Sequence, residues 1–171
     1  MKNPLRTWQT GLLAVSLLSG CLSAPTSRLV TDPVGPIGGA NRMNISSGPG
    51  ELIVFTQTED VNDGGISYSR HTPYSVETAT GQTVKEVTNR AGSTDQTPTT
   101  VSIAPGSYVV RARADGFGLV AVPIQVAPNQ LTAVYLDRTA RPKGLNIPDG
   151  QEVKLPDGRV VGRKTAPVTK K

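Results

Sequence analysis

The only imidazole of the chain, His71, stands between Arg70 and Thr72 in a polar stretch that reads as a loop. An imidazole serves as a general base beside a hydroxyl or thiol nucleophile, or as a metal ligand among other imidazoles, thiolates and carboxylates. No second His accompanies it, the only Cys is Cys21, and no Ser sits in a nucleophile elbow, so no catalytic residue, metal or cofactor is assigned. A concave pocket holding His71 with two carboxylates would revive an enzymatic reading, and a convex, pocket-free sandwich would end it. Asp60-Val61-Asn62-Asp63-Gly64-Gly65 has the character of a calcium loop that would draw on Glu59, Asp60 and Asp63. Gly64, however, occupies the position where an EF-hand places its third oxygen ligand, so a solvated turn is expected. Gly116-Phe117-Gly118-Leu119-Val120-Ala121 has the spacing of a dinucleotide fingerprint. That fingerprint must open a helix, whereas these residues run into a strand pattern containing Pro123, so a hairpin turn is expected instead. The remaining chemistry is aromatic. Tyr68 and Tyr74 flank His71 and Phe117 caps a turn, which makes these three the candidate ligand contacts, while Tyr108 and Tyr135 read as core.

One thiol has a different context. Residues 1–20 open with Lys2 and Arg6 and no acid, continue through Gly11-Leu12-Leu13-Ala14-Val15-Ser16-Leu17-Leu18, and end on the small residues Ser19 and Gly20. This is the three-part pattern of a secretory signal, and its apolar run is far below the ~20 residues of a membrane-spanning helix. Leu18-Ser19-Gly20-Cys21 resembles the bacterial lipobox. The resemblance implies cleavage between Gly20 and Cys21, a lipidated Cys21 as the first mature residue, and attachment to a membrane through that lipid. Leu22 follows, where an Asp commonly retains such lipoproteins at the inner membrane, so the resemblance points to the outer membrane.

The elements that must position the other groups are strands. Gly and Pro are frequent, at 18 and 14 of 171 residues, which predicts many turns and few helices. Residues 21–50 are rich in Ser, Thr, Pro and Gly without a period and read as a flexible linker. From 51 to 137, seven strands can be read: 52–58, 74–78, 83–88, 99–103, 108–114, 119–126 and 131–136, with breakers between them. Tyr108, Val110, Ala112 and Ala114 alternate with Val109, Arg111 and Arg113, and Val120, Val122, Ile124 and Val126 alternate with Leu119, Ala121, Pro123 and Gln125. One face is therefore apolar and the other polar. The expected fold class is all-β, a single antiparallel β-sandwich of the prealbumin or immunoglobulin kind. Pro123 places its strand at an edge or bulge.

Thr99 to Leu136 carries Ala104-Pro105-Gly106-Ser107-Tyr108, a valine run, Ala114-Asp115-Gly116, a second valine run and Pro128-Asn129-Gln130. In this it resembles the carboxypeptidase regulatory-like family and the related PEGA-type repeats. The likeness covers about forty residues, and the insertion Glu59 to Thr72 departs from the most compact members. It implies a small β-sandwich used as an accessory or binding module on exported proteins, without catalysis of its own.

Residues 138–171 hold nine Lys/Arg and three acids, against seven and ten in residues 22–137, so basicity is concentrated in the tail. Within it, Gln151–Leu155 and Arg159–Val161 flank a Pro156-Asp157-Gly158 turn and predict a hairpin that needs a partner surface. The tail reads as a solvated terminus or as a contact for anionic headgroups or wall polymer, not as a nucleic-acid site. The sequence thus leads to a non-enzymatic envelope lipoprotein with an interaction or scaffolding module, partnered by envelope proteins, cell-wall polymer or polysaccharide. The alternative is a carbohydrate- or peptide-binding accessory module of a polysaccharide-handling system.

Overall fold

The computed structural model describes residues 28–30, 32–37, 48–90, 94–139 and 147–165; the cleavage and lipidation positions, Gly20 and Cys21, lie outside these. Among the described residues there are twelve strands and no helix: β1 (Arg28–Leu29), β2 (Gly50–Phe55), β3 (Thr58–Asp63), β4 (Ile66–His71), β5 (Tyr74–Glu77), β6 (Thr83–Val87), β7 (Val101–Ile103), β8 (Gly106–Ala114), β9 (Gly118–Val126), β10 (Leu131–Tyr135), β11 (Glu152–Lys154) and β12 (Val160–Arg163). Each of the seven runs read from the sequence coincides with one of β2 or β5 to β10. A five-stranded sheet has the order β1-β9-β8-β5-β6 and a three-stranded sheet the order β10-β2-β7, while β3-β4 and β11-β12 each form a two-stranded sheet. The expectation of wholly antiparallel pairing is corrected at two places, since β1 runs parallel to β9 and β2 parallel to β10.

The alternation in the sequence is the alternation of burial. Val110, Ala112, Ala114, Val120, Val122, Ile124 and Val126 all point inward from β8 and β9 into one apolar cluster. Leu52, Val54, Val134 and Leu136 from the other sheet join the same cluster. Two sheets sharing one dry interior is an arrangement consistent with a β-sandwich, and each fully buried Val or Leu contributes roughly 1.5–3 kcal/mol. The Pro105-Gly106-Ser107-Tyr108 turn has a local reason as well. The Tyr108 hydroxyl donates back to the Ala104 carbonyl at 3.0 Å, and its ring lies over Gly106 so closely that a Cβ there would sit 3.3 Å from it.

Pro123 lies opposite Val109 in an unbroken β8–β9 register. Its carbonyl accepts from Val34 N at 2.9 Å, and Val34 O accepts from Gln125 N at 2.8 Å. The N–H and C=O of a strand residue point the same way, so the donor that proline lacks falls on this side and the β8–β9 ladder is left whole.

Those bonds belong to a segment expected to be featureless. The reading of 21–50 as a tether throughout is corrected here, because Val30 and Val34 are buried. Residues 28–30 and 32–34 follow β9, and the segment then crosses to β10 through a Pro36–Thr132 bridge and an Ile37 N to Leu131 O bond of 2.8 Å. On its other side this strap meets the tail: Gly35 N donates to Arg163 O at 2.6 Å and Val34 bridges Lys164.

The expected tail hairpin forms as β11–β12, and its partner surface is the body itself. Val153, Leu155 and Val161 enter the main core. The Arg159 guanidinium donates to Leu136 O at 3.2 Å and to Asp115 O at 2.8 Å, pinning the hairpin to the end of β10 and the β8–β9 turn. The same side chain, together with its backbone N–H, holds the Asp157 carboxyl below its ordinary value. Over 147–165, therefore, the tail is not a solvated terminus. We expect Leu155→Ala, which would cost little in a solvated tail, to lower the unfolding free energy by about 2–5 kcal/mol, measured by chemical denaturation.

Candidate functional site

The insertion that the compact pattern lacks is the β3–β4 hairpin. It projects from the body as an arm whose residues are mostly exposed, turning through Gly64 and Gly65 at φ of +58° and +87°. Opposed residues of an antiparallel pair share a face. One face carries Glu59–Arg70, Val61–Tyr68 and Asp63–Ile66; the other carries Thr58–His71, Asp60–Ser69 and Asn62–Ser67. A calcium loop using Glu59, Asp60 and Asp63 is thereby ruled out, because Asp60 faces away from the other two and Glu59 is taken by Arg70 at 2.6 Å.

The arm is rooted in a buried polar joint. Thr56 breaks the apolar run at the end of β2, and its hydroxyl donates to Thr72 O at 2.7 Å. Asn89, 2% exposed, donates to the same carbonyl at 3.0 Å and accepts from Thr99 N at 3.0 Å. His71, expected in a polar loop, instead ends β4 and is buried. Its Nδ1 lies 2.6 Å from Thr56 O. A carbonyl only accepts, so Nδ1 carries the hydrogen of this bond. The imidazole also meets Phe55 edge-on at 5.9 Å, and Phe55 stacks on Tyr135 at 5.0 Å.

Beside this joint opens a cleft of about 520 Å³. Thr58, Ser69 and His71 form the arm's wall, Phe55 lies beneath, and the facing walls are the 94–98 loop and the segment after β10, with Asp95, Gln96, Thr97, Asp137 and Thr139. Two Asp-x-Thr turns border it. Asp95 accepts from Thr97 N at 2.9 Å, and Asp137 accepts from Thr139 N at 2.8 Å and from its hydroxyl. The Thr97 N–H, and after it the Thr97 hydroxyl, hold the Asp95 carboxyl below its ordinary value. The pocket thus does unite His71 with two carboxylates. Among the described residues, however, the imidazole bonds only to Thr56 O: no hydroxyl and neither carboxylate is within hydrogen-bond distance of it. No three His, Cys, Asp or Glu side chains among the described residues are grouped to hold a metal ion. The arrangement suits recognition of a ligand by hydroxyls, carboxylates and one aromatic surface.

None of the three aromatics singled out from the sequence lines this cleft. Tyr68 is half-buried on the arm's opposite face, across from Val61. Phe117 packs on the main core within the β8–β9 turn, where Gly116 and Gly118 have φ of +69° and +84° and no helix follows. Tyr74, expected as a ligand contact, is buried in β5 away from the cleft. Phe55 and Asp137 were missed. Their signals were present: Phe55 lies out of phase with Leu52 and Val54, and Asp-x-Thr occurs where the strand pattern ends.

No protein-family model, curated protein or solved structure matches the chain.

Among the described residues the buried Tyr74 hydroxyl has no hydrogen-bond partner, and burial pushes its pKa well above the usual phenol range. Removing an unsatisfied buried hydroxyl removes its desolvation cost. Tyr74→Phe should therefore leave stability unchanged or raise it by about 1 kcal/mol in denaturant titrations.

Proposed function

We propose that the chain is a non-enzymatic lipoprotein of the cell envelope, anchored through Cys21, whose β body is an interaction module held near the membrane. The proposed lipid comes from Leu18-Ser19-Gly20-Cys21, and Leu22 favours the outer membrane. Six residues separate Cys21 from Arg28, where pairing to β9 begins. Their fully extended reach is about 25 Å, so the module works close to the headgroups and not at the end of a long tether. The prealbumin or immunoglobulin type of sandwich, and the carboxypeptidase regulatory-like resemblance, belong to the same proposal. The observation that carries the functional reading is the cleft at the arm's root, which has walls rich in polar groups and an imidazole without a bonded nucleophile.

The cleft also favours a more specific second reading, an accessory module that binds carbohydrate or peptide. On either reading the lipid supplies localisation and raises the effective concentration of the module beside other envelope components.

Cys21→Ser should release the protein from membranes washed in high salt, with fractionation and immunoblotting as the measurement. Retention of the variant on washed membranes, or a free-thiol amino-terminal peptide in the mass spectrum of the exported protein, would refute the anchor.

A further inference from the structure

We infer that the cleft and the inner face of the arm form one continuous track for a neutral, hydroxyl-rich oligosaccharide; this rests on the reading of the cleft as a ligand site. Thr58, Ser69 and His71 belong to both. Beyond them the same face continues through Asp60 and Ser69, bonded at 3.0 Å, to Asn62 and Ser67, bonded at 3.4 Å. From Thr58 to Asn62 the strand advances about 13 Å, which suits a chain of sugars better than a single one.

Charge and hydrogen-bonding capacity select the ligand class. Among the described residues, no Lys or Arg lines the cleft or this face of the arm, although the chain carries a net charge of +5. Arg70 lies on the opposite face, paired with Glu59. The charged groups on the track are Asp60, Asp95 and Asp137, so a polyanion is repelled. A polycation is matched in sign, but those three carboxylates are outnumbered by the uncharged Thr58, Asn62, Ser67, Ser69, Gln96 and Thr97. The other track groups are hydroxyls and amides, which donate as well as accept. Sugar hydroxyls use both capacities, and Phe55 offers an apolar surface to the C–H face of a ring.

The test is calorimetric titration of the full chain, purified from membranes in detergent, with maltohexaose, cellohexaose and chitohexaose, and with a galacturonic acid hexamer and hexalysine. At least one neutral hexamer should bind, about ten-fold tighter than its monosaccharide, because its further hydroxyls meet the arm. Asp60→Ala and Asn62→Ala, both exposed substitutions, should each weaken that binding about ten-fold. Glu59→Ala, one residue away on the opposite face, should leave it unchanged. Failure of all three neutral hexamers to bind, or binding of hexalysine or the acidic hexamer in their place, would overturn the proposal. If hexalysine bound and Asp95→Ala removed it, the cleft reading would survive and the sugar would fall. If a neutral hexamer bound and neither Asp60→Ala nor Gln96→Ala weakened it, the cleft reading itself would fall.

Discussion

Val34 is the residue on which separate parts of the chain converge. Its N–H and C=O are both committed to β9, its side chain is fully buried, and its neighbour Gly35 donates to Arg163 in β12. The contact is close enough to dictate sequence elsewhere. A Cβ at Gly162 would collide with both Val34 methyls, at 2.5 and 3.0 Å, so β12 can lie against the strap only with glycine there. A β-sheet edge presents unpaired backbone groups that must be covered or paired. The strap covers that of β9 and, by crossing to β10, ties the two sheets together along one side.

A second set of constraints is polar. Thr56, His71, Thr72 and Asn89 are buried among apolar neighbours, and all but the Thr72 hydroxyl have their side chains bonded within the joint. Such groups are expensive to bury unless their bonds are made, and so they specify one geometry at the arm's root. An isolated two-stranded hairpin is marginal in water. The root supplies what the arm cannot supply for itself, and the cleft inherits its shape from the same bonds. Chemistry is divided accordingly, with acids and hydroxyls on the arm and cleft and much of the basic charge in the carboxy-terminal part.

How far the sequence could be read follows from which signals were local. The strands β8 and β9 were legible because a strict period of two in Val and Ala has no other reading, and the tail hairpin because Pro-Asp-Gly between valines is a turn with a mechanism. The strap was not legible. Val30 and Val34 stand among Pro, Gly and Ser, and their burial depends on β9 about ninety residues later. Long-range parallel pairing leaves no periodic trace in two or three residues. The arm was mistaken for a loop because its few apolar side chains, Val61, Ile66 and Tyr68, are set among charged and polar residues and give neither strand a continuous apolar face. His71 was misplaced with it. The cleft failed for a related reason, since Phe55, Asp95 and Asp137 come from three distant segments.

The interlock of strap and tail hairpin also bears on when this molecule can acquire its final form. The strap is made before the other described strands of the body, and Arg163 lies in β12, about 130 residues later. Until that late segment emerges, Val34 has only half of its surroundings and the last valines of the core are missing. Contacts of such wide sequence separation are slow to close and leave apolar surface open meanwhile. Synthesis in chain order thus leaves the shared core incomplete until β12 is available to close it.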